Sequence, residues 1–418
     1  MNHSEQRILV VTSFAHFMSH FNMMVFPAVV LPLTGILNVD MPTVLGLSFW
    51  MYLLFGVTAL PWGMMGDKVG GKPLLLVMFA GAGLCASAGA FSVKDASGLS
   101  LSLAGLGLFS GIYHPIGMGL ISKGVSRISM AMGYNAVFGG LGLVVAPLMT
   151  GVVNWLAGPA AVFYSLGFLN FVGLLLLFLL PLDEAEAGSH EGASENNGML
   201  GAFLILLVAM MLAGVVFSGS TVVLPAYLEL KGKELLQAVS HLSGRDLSGN
   251  LVAAAATSFV YVIGMVGQYF GGFMGERVDR RYAYLAFHAV CIPAALLMAY
   301  THDLMLTAAA AVFFFFHLGM QPLENTLVAV FTPRRLHHSA FGLKFLLTFG
   351  VGSLGVKIVQ KVQTVWALES VFLVFAGIVA LIVITAALLI RYTNPGRKPA
   401  EGSAPEACTS SVGSVGKP

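Results

Sequence analysis

Apolar runs alternate with short polar breaks from one end of the chain to the other. They fall near 8 to 33, 43 to 62, 73 to 92, 99 to 122, 131 to 155, 159 to 181, 199 to 228, 250 to 272, 282 to 300, 303 to 330, 340 to 361 and 365 to 391. Each is about the 20 residues a helix needs to cross a hydrocarbon core. The pattern therefore predicts an all-α membrane protein of twelve transmembrane helices in two sets of six. The expected division is an N-terminal lobe over 1–181, a linker over 182–198, a C-terminal lobe over 199–392 and a disordered tail over 393–418. The linker LDEAEAGSHEGASENNG is acidic, rich in Gly and Ser and free of apolar periodicity. Between the seventh and eighth runs, Leu235, Leu236, Val239 and Leu242 recur at helical spacing. A short helix lying on the membrane interface and a solvated connector both fit that loop.

Composition narrows the class further. The chain is 57% hydrophobic and 10% charged, where soluble domains carry about 25% charge, so an ordinary soluble domain is excluded. The first run is too long for the apolar region of a cleaved signal and reads as an anchor that stays. Cys85, Cys291 and Cys408 lie far apart, which supports neither a disulfide framework nor a zinc cluster. A net charge of +2 points to no nucleic-acid partner. Its distribution is more informative: fourteen Lys and Arg lie in segments on the N-terminal side of the membrane and five in segments on the other. The positive-inside bias then places both termini in the cytoplasm, in a plasma (cell inner) membrane.

One polar break has an echo. GMMGDKVGGKP begins at Gly63, and GFMGERVDRRY begins 209 residues later at Gly272. Each has Gly first, then an acid (Asp67, Glu276) followed by bases (Lys68 and Lys72; Arg277 and Arg281). A Gly lets two membrane helices meet closely while the charges stay at the wet surface. Recurrence at half the chain length predicts two pseudo-symmetric lobes. A tight basic turn would explain the bases but not the recurring acid. Gly63, Asp67, Lys68, Lys72, Glu276 and Arg277 are therefore candidates for a conformational latch. In it, Asp67 accepts hydrogen bonds from helix N-terminal amides, and Lys68 and Lys72 hold lipid phosphates.

These residues resemble the major facilitator superfamily. The first turn matches that family's loop between spans two and three, and the second copy departs at Glu276 and Asp279. GGLGLVVAPLMTG in span five is similar to a Gly/Pro-rich family motif that accompanies antiport in many members. SHFNMMVFPAVVLPL and GIYHPIGMGLISKG resemble the fosmidomycin-resistance-like exporters. The resemblance implies two rocking lobes, a central cavity lined by spans one, four, seven and ten, and span nine facing lipid. Two features depart from many proton-coupled members: span four lacks an Arg, and span one lacks a carboxylate.

Only three charged residues sit well inside the runs: Glu324, Lys344 and Lys357. A charge at the bilayer centre costs roughly 2.5–3.5 kcal/mol on insertion scales, so such groups are paired or functional. Glu324 and Lys344 share a depth on neighbouring spans. They either neutralise each other or form a gate at which a proton or an anionic substrate competes for one partner. Lys357 lies near the outer end of its span and is expected to snorkel. His16 and His20 share a face of span one, His114 precedes Pro115 in span four, and His317 precedes Gln321 and Pro322 in span ten. Structural donors and ligands are both open readings for this set, whereas His288, on span nine, is expected to be structural. His337 and His338 belong to an inner loop. At an offset of 207 residues Pro115 falls on Pro322 and His114 on Gln321, which predicts equivalent breaks. At 209, Asn135 falls on Lys344. The expected substrate and coupling site is His20, Asn22, His114, Asn135, His317, Gln321, Glu324 and Lys344, with Tyr134 and Gln268 as outlying additions.

No nucleophile–base pair, HExxH, phosphate loop or CxxC occurs, so no enzyme chemistry and no cofactor is expected. His16 and His20 alone, with no third ligand nearby in sequence, give a weak case for a metal-ion carrier. The chain is expected to be a monomeric secondary transporter for a small polar or amphipathic organic solute, coupled to protons and working in efflux. An uncoupled facilitator or an uptake symporter remains the alternative.

Overall fold

The computed structural model describes residues 2–180, 199–333 and 337–394, and the side chains of 128, 129 and 337–339 are outside that description. The expected linker, nearly all of the expected tail and the side chains of His337 and His338 thus lie outside the described residues.

All the regular structure among the described residues is helical. Among the described residues, ten helices are long and apolar enough to cross a membrane. A bent pair, Met41–Val57 and Ala59–Val69, adds one more, its halves inclined by 45°. Gly158, at φ +79, interrupts the helix Ile128–Leu179 and divides it into two spans, which brings the count to the expected twelve. Spans one to four are His3–Leu37, Met41–Val69, Gly71–Phe91 and Ala96–Gly124, with five and six on either side of Gly158. Spans seven to twelve are Leu200–Lys231, Gly249–Arg277, Arg280–Tyr300, Asp303–Phe331, Ala340–Val365 and Ser370–Thr393.

Breaks in the spans have identifiable causes. Pro27 turns one stretch of span one into a 3-10 segment, Phe26–Val29. Pro61 cannot accommodate the carbonyl of Val57, and span two bends there, at Thr58. Pro115 acts in the same way on Gly111, and span four is interrupted between Ser110 and Tyr113. Span ten, however, runs unbroken through Pro322. The expected equivalence of the two breaks is therefore corrected: the prolines correspond, but only the N-terminal one interrupts its helix. Gly70, at φ +86, makes the sharp connection from span two to span three.

An even number of crossings puts residues 2 and 394 on the same side, here termed the terminal side. There Asn2 and Glu5 form a reciprocal cap, both bonds 2.8 Å, and Glu5 also accepts the Ser126 amide at 2.8 Å, tying span one to the loop after span four. Across the membrane, the loop after span seven folds as the helix Lys233–Ser243, so the helical reading holds. Asp303 accepts its first amides, from Glu234 at 2.8 Å and Leu235 at 3.0 Å.

The two lobes are bonded on that opposite side. Asn154 donates to Asn250 at 2.9 Å, and Asn250 donates to the Ala28 carbonyl at 2.8 Å; within its own lobe Asn250 also donates to Glu229 at 3.0 Å. Small residues let the lobes approach: a Cβ on Gly151 would lie 2.6 Å from the Ala254 Cβ, and one on Gly56 would lie 2.3 Å from the Gly350 amide nitrogen.

Candidate functional site

The two basic turns lie beneath equivalent helix crossings. A Cβ on Gly63 would sit 3.2 Å from Pro115, and one on Gly272 would sit 3.9 Å from Pro322. Three residues on, Gly66 faces Ile116 and Gly275 faces Leu323. The halves repeat, therefore, in packing as well as in sequence. Their charges do not. Asp67 pairs with Lys123 of span four at 3.5 Å, both side chains more than half exposed. In the second copy Arg277 lies over the Phe273 ring at 3.5 Å. Asp279 caps span nine by accepting the Arg281 amide at 2.9 Å. Arg281 also reaches the Thr393 carbonyl at 2.9 Å. The side-chain hydrogen bond from Arg281 holds the Asp279 carboxyl below the usual carboxylate range. The residue bonded to a helix N-terminal amide is thus Asp279 rather than the expected Asp67, and the Asp67 pair ties two spans of one lobe.

Above the first turn, His16, His20 and His114 converge. Their ring centroids are 5.0, 5.4 and 5.3 Å apart, and one ring nitrogen from each lies within 4.8 Å of the others. Span five makes the room: a Cβ on Gly139 would lie 2.5 Å from the His16 ring, and one on Gly142 would lie 3.2 Å from the His20 Cβ. His16 Nδ1 is 2.9 Å from both the main-chain and side-chain oxygens of Asn135. A main-chain carbonyl only accepts, so Nδ1 carries the hydrogen and Nε2 presents a lone pair. Tyr113 stacks on His16 at 4.5 Å and donates to Asn135 at 2.5 Å. His114 is buried with no partner for Nε2. It touches Phe55 of its own lobe and Phe345 and Phe349 of the other. Sequence spacing left the pair His16 and His20 without a third ligand, and the fold supplies His114.

A second polar cluster lies in the C-terminal lobe. Lys344 Nζ is 2.7 Å from Glu324 and donates to Asn325 at 2.5 Å. Glu324 is 2% exposed and Lys344 5%, so this is a buried ion pair. Tyr284 donates to the other Glu324 oxygen at 3.4 Å, and its ring meets His288 at 4.6 Å. His288 in turn approaches His317 at 6.3 Å, and both histidines are fully buried with neither ring nitrogen partnered. Span nine turns Tyr284 and His288, four residues apart, into the bundle and leaves Tyr282 and Leu297 exposed on its other face.

Two other candidates fall elsewhere. Asn22 is fully buried inside the N-terminal lobe, bonded reciprocally to Asn170 at 3.2 and 2.9 Å and to Ser110 at 2.9 Å. Tyr134 is 53% exposed. Gln268 and Gln321 meet at 2.8 Å between spans eight and ten. Lys357 lies exposed over the Phe49 ring at 4.6 Å. Tyr113, Tyr284 and Asn325 were missed by sequence reasoning. A tyrosine beside His114 and another four residues before His288 were the available signals.

Residues 12–356 match the family described as Major Facilitator Superfamily. No curated protein matches the chain. Among solved structures, a bacterial homologue of the human lysosomal transporter Spinster, described as inward-facing and unoccupied, is 14% identical at a TM-score of 0.72. That match covers 96% of this chain and 100% of the other. The nucleoside transporter NupG is 14% identical at a TM-score of 0.74, covering 92% and 99%. A POT family transporter in complex with 5-aminolevulinic acid is 12% identical at 0.73, covering 92% and 96%. Likeness at this identity concerns the fold.

Proposed function

The chain belongs to the Major Facilitator Superfamily, and from that premise we propose that it is a proton-coupled secondary transporter exporting a small polar or amphipathic organic solute. Its two lobes rock about a site between them. The supporting observation is the buried pair of Glu324 and Lys344, with Tyr284 on the second carboxylate oxygen. A proton competes with Lys344 for Glu324, and an anionic group of the solute competes with Glu324 for Lys344, so either one opens the same ion pair. Such competition lets one flux drive the other through a conformational equilibrium. His20, His114, Asn135, His317 and Gln321 complete the proposed lining. Asn22 acts through packing instead.

The proposed setting is a cell inner membrane with both termini cytoplasmic and a single chain as the working unit. The His114–Pro115 segment is the basis for a kinship with the fosmidomycin-resistance-like exporters. In this reading Asp67, Lys68 and Lys72 act as a mechanical latch within the N-terminal lobe.

Glu324→Gln tests the proposal in proteoliposomes. Transport driven by a pH gradient should be lost while solute exchange persists; undiminished pH-driven transport in the variant overturns the assignment of the coupling acid. The missing span-four Arg and span-one carboxylate favour a second reading, an uncoupled facilitator or uptake symporter. A wild-type flux indifferent to the pH gradient would select the facilitator.

A further inference from the structure

The cluster of His16, His20 and His114 holds more donor capacity than its hydrogen bonds use. Asn135 engages His16 Nδ1 and so turns Nε2 outward as a lone pair. His114 Nε2 is buried and unpartnered, and a buried polar atom left unpaired is unfavourable. Three imidazoles are the donor set of an open, borderline transition-metal site. Hard cations such as Mg²⁺ and Ca²⁺ require oxygen ligands instead.

We propose that His16, His20 and His114 form a three-histidine binding site for a divalent transition-metal cation of zinc-like character. The ring nitrogens already lie within 4.8 Å of one another. With metal–nitrogen bonds of about 2.0–2.1 Å, a tetrahedral ion sets them roughly 3.4 Å apart. Small rotations of the three rings close that difference without moving the helices. Asn135 supplies the outer support that fixes the His16 tautomer, and Tyr113 in turn fixes Asn135. Gly139 and Gly142 give the rings their space. His16 and His20 are partly buried and His114 is buried. The site shares His20, His114 and Asn135 with the proposed solute lining but does not rest on proton coupling at Glu324, which belongs to the other lobe, so metal binding and proton coupling fail separately.

The test is a Co(II) titration of the purified full-length protein in detergent, read by the visible bands of tetrahedral cobalt, followed by displacement with Zn(II). One saturable ion per chain is expected. His16→Ala, His20→Ala and His114→Ala should each abolish the tetrahedral bands, and Asn135→Ala should weaken binding about 10–100-fold. His241→Ala, on the exposed helix Lys233–Ser243, should change nothing. A wild-type protein without tetrahedral bands, or bands that survive His114→Ala, overturns the proposal. Wild-type Tm gives a readout free of variant folding: it should rise with the logarithm of Zn(II) concentration above Kd, and an unchanged Tm also overturns the site.

Discussion

Lys344 and Glu324 are worth more to the protein together than either is alone. Both are at least 95% buried, and removing one partner leaves an uncompensated buried charge. Lys344→Met should therefore destabilise the fold by about 3–5 kcal/mol, whereas the double change Lys344→Met with Glu324→Gln should recover most of that loss. Thermal unfolding in detergent checks both; equal Tm values for the single and double variants would mean that Glu324 is held by Tyr284 alone. Exposed charges behave differently. Asp67 and Lys123, more than half exposed at 3.5 Å, contribute about 0–1 kcal/mol, so Asp67→Asn should leave Tm nearly unchanged. Its effect, if the pair acts as a latch, is on the accessibility of cysteine probes at the terminal side. Asp279 has a lowered folded pKa, so its cap is present above the ordinary carboxylate value of 3.8 and is lost as the pH falls below it. Asp279→Asn should remove that acid dependence from the unfolding profile.

The helices show where sequence patterns were sufficient and where they were not. Run length and hydropathy made all twelve spans legible, and the turns from Gly63 and Gly272 gave the register of the halves. Helix continuity at the prolines was less legible: Pro115 coincides with a break and Pro322 does not. Proline removes a local bond, but neighbouring packing decides whether the helix yields. Close crossings depend on glycine. A Cβ on Gly271 would fall 1.7 Å from the Gly319 carbonyl oxygen, so Gly271→Ala should push spans eight and ten apart at a cost of about 1–3 kcal/mol. Reduced thermal stability with impaired transport is the expected outcome. The amphipathic helix Lys233–Ser243 was left open because its spacing also fits a connector; Asp303, far along the chain, supplies its cap.

At the scale of the molecule, polar bonds join the lobes on the side opposite the termini, through Asn154, Asn250 and Ala28. Asn250→Ala removes both inter-lobe bonds at once, together with its bond to Glu229 in its own lobe. Unpaired partners there should shift the equilibrium toward the form open on that side, by about 1–3 kcal/mol. Cysteine probes along that half of span eight should react several-fold faster in the variant; unchanged labelling would show that packing alone holds the closure. The sequence by itself determined the membrane class, the twelve spans, the two-fold repeat and the rarity of buried charge, because the bilayer imposes length and polarity on each segment independently. Only the tertiary structure decided which polar residues meet. It joined His114 to His16 and His20, turned His288 into the bundle toward Tyr284 and His317, and withdrew Asn22 into the N-terminal lobe. Helical periodicity specifies a face but not its neighbour; neighbours are chosen by crossings between distant segments. The turn beginning at Gly63 marks the start of one such crossing, and Pro115, where it ends, could be paired with it only in three dimensions.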